Sequence, residues 1–235
     1  MDEQAQTASK REAGYRAAEL VQPGMVIGLG TGSTVFFAME RLKERIAAGL
    51  KIQGVPTSLQ AAMRAREYGI PLTSLDEYPE PDLAIDGADQ VDPKFRLIKG
   101  RGAAHTREKC VADAAKQFIV VIDESKLTKH LDAPVPVEVI PFAATPVVAR
   151  LKFMGGLPVI RQGVKKDGPV ITDNGNIIID CSFGRIDTPE KLEQDLCRIP
   201  GIVENGLFTQ FTKKTLVISG TVKGSRLLTL TDVVP

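Results

Sequence analysis

Apolar positions along the chain switch between two spacings, and the switching predicts helices and strands in turn. Ser9 to Leu20 has helical spacing, with Tyr15, Ala18 and Leu20 able to face a core, and Pro23 and Gly24 end it. MVIGLG (25–30) follows as a short buried strand. Ser33 or Thr34 is placed to cap the next helix, which runs to about Ala48 with Val35, Phe36, Met39, Leu42 and Ile46 on its apolar side. Gly49 stops it. LKIQGVPTS predicts a strand, QAAMRAREYG a helix, IPLTSL a short strand and DLAIDGADQVD a strand running into a turn. A helix from the end of KGRGAA to Ala115 and the β-rich run QFIVVID continue the series. Strands and helices alternating at this length imply parallel βαβ units in an open, doubly wound, Rossmann-like α/β sheet. Ligands in such sheets bind at the carboxyl ends of the strands, where GLGTGST, DGADQVD and KGRGAAHTREK would converge.

Near Asp132 the pattern changes. APVPVEVIPFAATP has four prolines among its valines, which suits an edge strand or a linker better than a central strand. A helix (VVARLKFM), a strand, a second strand (NIIIDCSFG), a helix (PEKLEQDLCRI) and IVENGLF then suggest a smaller α+β domain. TLVISG is short and β-rich and is expected to rejoin the first sheet. The predicted division is a catalytic α/β domain, 1–131 plus 207–235, with residues 132–206 inserted as the smaller domain.

Composition narrows the function. A hydrophobic content of 43% describes an ordinary globular chain, and a formal net charge of +1 argues against a general polyanion binder. Trp is absent and aromatics are 5%, so no stacking surface for single-stranded nucleic acid is expected. Cys110, Cys181 and Cys197 have no CxxC spacing, and with His105 and His130 as the two imidazoles no zinc pattern arises. Idle or buried thiols in a reducing compartment are expected. The first residues are acidic and polar where a signal peptide needs a basic start, and no run reaches the roughly 18 apolar residues of a membrane span. The expected location is cytoplasmic, with no metal, nucleic acid or membrane partner.

Three stretches carry candidate chemistry. In GLGTGST the glycines let a ligand approach the backbone, helix-terminal N–H groups favour an anion, and Thr31, Ser33 and Thr34 add hydroxyls. Neither a GxGxxG fingerprint nor a P-loop is present, so an ordinary capped turn stands beside the anion cradle. DGADQVD offers Asp86, Asp89 and Asp92; a turn at Gly87 would point Asp86 and Asp89 to one mouth, while an Asx-type turn would solvate all three. In KGRGAAHTREK, Lys99 and Glu108 brought into one cleft with two aspartates would supply a base, a cation for an oxyanion and carboxyls to move hydroxyl protons. The alternative is that Arg107, Glu108 and Lys109 form a solvated helix face.

Taken in order, GTGST, DGAD and KGxGAA followed by REK resemble ribose-5-phosphate isomerase of the A type. The likeness extends through VQPG, VEVIP, RQGV, TDNGN with Asp180 beyond it, and IPGIVENGLF. It implies interconversion of ribose 5-phosphate and ribulose 5-phosphate, a step of the non-oxidative pentose phosphate pathway, with no metal or organic cofactor. The REK match makes Glu108 the base that moves a proton between C1 and C2 through a cis-enediolate, and the KGxG match makes Lys99 the stabiliser of its charge. By the DGAD match, Asp86 and Asp89 hold sugar hydroxyls, assist ring opening and shuttle protons, with Gly87 and Ala88 beside the substrate. Thr31, Gly32, Ser33 and Thr34 are given to substrate binding near the phosphate, Gly100, Arg101 and Gly102 to the same cleft, and Lys126 and Lys10 to phosphate. Arg101 stands where many relatives have glycine, and solvent or a structural salt bridge is its expected fate. His105 is expected to be structural. The insert would supply a dimer or tetramer contact, and a homodimer is the expected assembly.

Other sugar-phosphate enzymes of similar fold, such as amino-sugar phosphate isomerase-deaminases, lack the paired DGAD and KGxGAA motifs. A non-catalytic sugar-phosphate sensor would have no need of Lys99 with Glu108, and would be expected to carry a helix-turn-helix for which the segment before Val26 is too short. An acyl-CoA transferase relative would use a covalent glutamyl intermediate on a longer chain.

Overall fold

The computed structural model describes residues 3–228. The ends of the expected catalytic domain, 1–2 and 229–235, lie outside the described residues. Helix α1 (Glu3–Glu19) precedes β1 (Val26–Leu29), α2 (Ser33–Ala47), β2 (Gln53–Pro56), α3 (Leu59–Glu67) and β3 (Leu83–Asp86). Short strands β4 (Gln90–Val91) and β5 (Leu97–Ile98) lead into α4 (His105–Ala114) and β6 (Gln117–Asp123). There follow β7 (Val135–Val139), α5 (Ala144–Phe153), β8 (Leu157–Ile160), β9 (Ile177–Ser182), α6 (Pro189–Cys197), β10 (Ile202–Asn205) and β11 (Leu207–Phe208). Strands β12 (Thr215–Thr221) and β13 (Gly224–Leu228) close the described chain.

The main sheet has the order β13-β12-β6-β3-β1-β2, all parallel except the edge strand β13. The chain steps outward from β1 to β2, returns to β3 on the other side of β1, and then continues away through β6 and β12. This is the doubly wound arrangement, and its switch point lies between the carboxyl ends of β1 and β3. Strand β6 shows why the sequence takes this form. Phe118, Val120 and Ile122 pack with Val111 and Ala112 of α4, while Ile119 and Val121 pack with Ala17 of α1 and Met39 of α2. A strand covered by helices on both faces needs apolar residues at every position, so QFIVVID shows no polar alternation. TLVISG does rejoin this sheet, with Val217 beside Val120.

A four-stranded antiparallel sheet, β10-β7-β9-β8, forms a second unit with α5 and α6, its core built from residues such as Val137, Ile179, Leu151 and Leu196. The proline-rich stretch departs from its expected place, because β7 is an interior strand. Pro136 O accepts from Gly206 N at 2.7 Å, and β10 pairs with β7 only as far as Asn205↔Val137. The missing proline donor therefore falls beyond the paired part of β10, where the ladder has already stopped. A small sheet, β11-β5-β4, was not foreseen. Its strands are two residues long, too short for any periodicity.

Three further expectations change. Helix α1 starts at Glu3 rather than Ser9, since the polar, helix-forming segment before Ser9 gives no apolar period. IPLTSL forms no strand and touches the sheet through a single bridge, Leu72 to Gly54. Neither Ser33 nor Thr34 caps α2; the capping position is Gly32, with no side-chain cap.

Candidate active site

GLGTGST leaves the sheet at the end of β1, beside the end of β3. A Cβ on Gly30 would lie 2.2 Å from Asp86 Oδ1, so only glycine admits the aspartate of the neighbouring strand. Gly32 has φ 125°, which turns the chain into α2 without a capping side chain. Phe36 N bonds Gly32 O, but among the described residues no acceptor occupies the amides of Ser33, Thr34 and Val35. All three residues line a cleft of about 420 Å³. A helix N-terminus with vacant donors aimed into a cleft is suited to a phosphate. The Thr31 hydroxyl sits 2.7 Å from Ser58 Oγ and 3.0 Å from Thr57 Oγ1, and Ser58 in turn caps α3 by accepting from Ala61 N. The motif is thereby fixed to the end of β2.

Behind the cleft lies a buried charge triad. Lys99 Nζ is 3.0 Å from Asp86 Oδ2 and 2.9 Å from Glu108 Oε2, and all three side chains are less than 5% exposed. The ammonium directs its well-angled hydrogen bond at Gly87 O, 2.6 Å away, which leaves both carboxylate oxygens close to a positive charge but without an oriented donor. Burial, and next the negative charge of Asp86, push the Glu108 carboxyl up to about 8 against the pull of Lys99. Burial also raises Asp86, although Lys99 and the amide of Gly87 oppose it. For Lys99, burial alone would lower the value, but Asp86 and then Glu108 outweigh it, and the ammonium is held charged.

Glu108 is carried on a helix buried along both sides. Lys109, the next residue, bonds Glu193 and Glu204. Arg107 donates to Asn174 Oδ1 at 2.7 Å and to Asp173 O at 2.8 Å, and Thr106 donates to the fully buried Glu138. The solvated-face alternative for Arg107, Glu108 and Lys109 therefore fails, because the antiparallel unit covers that side. His105 is buried against Gly100 with its Nε2 3.3 Å from Glu204 O, and burial lowers it to about 4, so it stays neutral.

The cleft brings together Lys10, Thr31, Gly32, Ser33, Thr34, Gly87, Ala88, Asp89, Lys99, Gly100, Arg101, Gly102, Glu108 and Lys126. Asp86 is set one layer back, 2% exposed, and reaches the cleft through Lys99. Asp89 is half-buried at the mouth, where its Oδ2 accepts from Arg101 N at 3.1 Å. Lys10, Lys126 and the exposed Arg101 have no ion-pair partner among the described residues, so three cations face the cleft uncompensated. Asp92 is elsewhere, bonded to Arg96.

Sequence reasoning missed Phe208, whose ring lies 5.4 Å from Lys99 Nζ and 4.9 Å from Lys109 Nζ. It also gave no role to Ser58, which supports Thr31. IVENGLF was visible as a motif, yet nothing in it signals that β11 would run beneath two lysines. Among the described residues no group of three or more His, Cys, Asp or Glu is arranged to hold a metal ion.

The model of the family "Ribose 5-phosphate isomerase A (phosphoriboisomerase A)" matches residues 53–223. The chain is 62% identical to ribose-5-phosphate isomerase A of Methanoregula boonei over 97% of its own length and 96% of that protein. It is 58% identical to the protein of the same name from Methanosarcina acetivorans, over 85% and 86% of the two chains. The structure of ribose 5-phosphate isomerase A from Methanocaldococcus jannaschii superimposes with a TM-score of 0.89 at 50% identity, covering 93% of this chain and 97% of that one. A D-ribose-5-phosphate isomerase in complex with phospho-erythronic acid gives 0.90 at 47% identity, with 94% and 97% covered. With a doubly wound sheet, the three motifs gathered in one cleft and likeness over nearly the whole length, this chain belongs to the ribose 5-phosphate isomerase A family.

Proposed function

We propose that this chain interconverts D-ribose 5-phosphate and D-ribulose 5-phosphate, with Glu108 as the base. The observation that carries the assignment of the base is a buried carboxylate at the wall of the cleft, raised to about 8 and 2.9 Å from a charged ammonium. A group titrating near neutrality is both available as a base and strong enough to act as one. With the sugar open, Glu108 takes the proton from C2, and the electron pair moves toward O1 to give a cis-enediolate. The ammonium of Lys99 offsets the new negative charge in a site screened from water. Asp89, at the mouth, relays the hydroxyl proton from O2 to O1. Glu108 then returns its proton to C1, which completes the ketose with no net change in protons. Asp86 acts through Lys99, keeping the ammonium charged and in place. The phosphate fits the vacant amides of Ser33, Thr34 and Val35 with Lys10, Arg101 and Lys126 around them. The phospho-erythronic acid bound by the relative has the charge this site would take.

The scheme calls on neither metal nor organic cofactor. Turnover of ribose 5-phosphate to ribulose 5-phosphate in excess EDTA, beside Glu108→Gln, tests it. The expected result is full activity in the unmodified protein and a kcat lower by about 10²–10⁴-fold in the variant, with KM little changed. Robust turnover by Glu108→Gln would remove it from the role of base. Tight binding without turnover in either protein would instead favour a sugar-phosphate sensor.

Two finer parts belong to the same proposal. The division at 132–206 is supported by strands β7 to β10, which lie between Val135 and Asn205 and share one core. A homodimer is supported by apolar exposure on that unit, with Phe142 95%, Phe153 82% and Leu157 72% exposed. The solution mass from light scattering checks the assembly. No helix among the described residues is long and apolar enough to cross a membrane. Three unpaired cysteines, with Cys181 buried, accord with a reducing compartment such as the cytoplasm.

A further inference from the structure

RQGV and Asp180 are two motifs of the antiparallel unit that the mechanism leaves unused. Arg161, at the end of β8, uses its guanidinium in two directions. Nε donates to Asp180 Oδ2 at 2.8 Å and Nη2 to Asp180 Oδ1, a two-point grip that fixes the plane of the group. Nη1 is thereby turned toward the main sheet, where it donates to Gly100 O and to Arg101 O, both at 3.0 Å.

Gly100 O and Arg101 N belong to one peptide unit. Its carbonyl accepts from Arg161 and, within a local turn, from Ala103 N at 3.0 Å, while its N–H donates to Asp89 Oδ2 at 3.1 Å. The unit thus spans the gap between a cation on the antiparallel sheet and a carboxylate of the cleft. It also follows a residue that turns with ease, since Gly100 has φ 110° and lacks the Cβ that would resist rotation. A rotation of this peptide would point the carbonyl at Asp89 and withdraw its donor. The turn bond from Ala103 N resists that rotation, two carbonyls meeting one cationic N–H₂ group add to the resistance, and the positive charge on the carbonyl side also strengthens the N–H as a donor.

We propose that Arg161 is a positioning residue for the isomerase reaction: by holding the Gly100–Arg101 peptide it keeps Asp89 oriented to relay the hydroxyl proton. Asp180 supports it by fixing the guanidinium. The inference rests on the assignment of Asp89 made above. It also gives the antiparallel unit a part in catalysis, because a strand end of that unit sets the geometry of a carboxylate on the main sheet.

Steady-state kinetics of Arg161→Met, Asp180→Asn, their double variant and Asp89→Asn test the inference, with melting temperature as a control on folding. Arg161→Met is expected to lower kcat about tenfold with KM for ribose 5-phosphate within about threefold, since an oriented group and not a binding contact is lost. Asp180→Asn should lower kcat by about threefold, and the double variant should be no slower than Arg161→Met alone. In amide NMR spectra, the Arg101 proton should move upfield in Arg161→Met, which a loss of stability alone would not produce. If Arg161→Met does not fold, Asp180→Asn carries the same test with the guanidinium charge retained. Full activity in Arg161→Met beside a crippled Asp89→Asn would overturn the inference and leave Asp89 in its role. Full activity in Asp89→Asn would overturn that role and this inference with it.

Discussion

Two buried lysines ten residues apart each bridge two carboxylates against the same ring, Phe208. Lys109 makes well-angled bonds to Glu193 at 2.9 Å and Glu204 at 2.8 Å. Its partners are satisfied as well: Glu193 Oε2 accepts from the amide and hydroxyl of Thr209, and Glu204 Oε1 accepts from Asn205 N. Lys99 has the same number of acidic partners at similar distances, yet Asp86 Oδ2 and Glu108 Oε2 accept no oriented hydrogen bond. The Lys109 cluster is finished and ties α4 to the antiparallel unit. The Lys99 cluster leaves Asp86 Oδ2 and Glu108 Oε2 without an oriented donor, and there burial, and next the charge of Asp86, raise Glu108 to about 8. Burial of charge does not by itself distinguish a proposed base from a structural pair; a like charge beside it and an open cleft in front of it do.

Removing each lysine should separate the two roles. Lys99→Met is expected to lower kcat by about 10²–10³-fold, through loss of charge stabilisation in the enediolate. Lys109→Met should leave kcat within about threefold but cost about 3–5 kcal/mol of stability in urea unfolding, because Glu193 would stay buried without its counter-charge. Equal loss of activity in both variants would break the comparison.

The incomplete cluster should also show in pH dependence. Glu108 must be ionised to act, so kcat/KM is expected to rise about tenfold per pH unit below pH 8 and to level above about 8. The apparent value belongs to the Asp86–Lys99–Glu108 group as a whole. Because Lys99 is raised above its ordinary range, no decline from its deprotonation is expected below about pH 10. Stability should move the other way. Between the unfolded value near 4.5 and the folded value of about 8, the native state holds a proton that the unfolded chain has released, so Glu108 makes stability fall as pH rises through that window. Glu108→Gln should flatten that decline and melt higher than the parent at pH 8.5. A parallel decline in both proteins would place its source elsewhere.

A smaller effect is expected from the cations at the cleft mouth. Lys126→Gln or Lys10→Gln should raise KM about tenfold and change kcat by less than about threefold, the size of one charge-assisted hydrogen bond to phosphate. A fall in kcat with unchanged KM would move either lysine away from the phosphate.

Much of this was legible along the chain because strand and helix periods are local. QFIVVID reads as an apolar, β-rich strand, and GLGTGST and DGAD each end a predicted strand, so a parallel sheet carries those two to one edge; KGRGAA joins them from β5 of the small sheet that was not foreseen. The errors also have local causes. Proline statistics put β7 at an edge, but β10 stops opposite Val137 and spares Pro136 a donor it lacks. The run REK looks like a solvated face from its charges, and only the fold shows that Lys109 is buried against Glu193 and Glu204 of the antiparallel unit and Glu108 against Lys99.

The sequence by itself determined the sheet, the order of the motifs and the residue types able to move a proton, since these depend on periodicity and on side-chain chemistry. Tertiary structure alone decided which charges are finished and which are left poised. Glu108 and Lys109 are neighbours with equal claims on paper. They leave α4 about 100° apart, one toward the cleft and one into a filled polar cluster, and what surrounds each side chain separates the proposed base from a structural support.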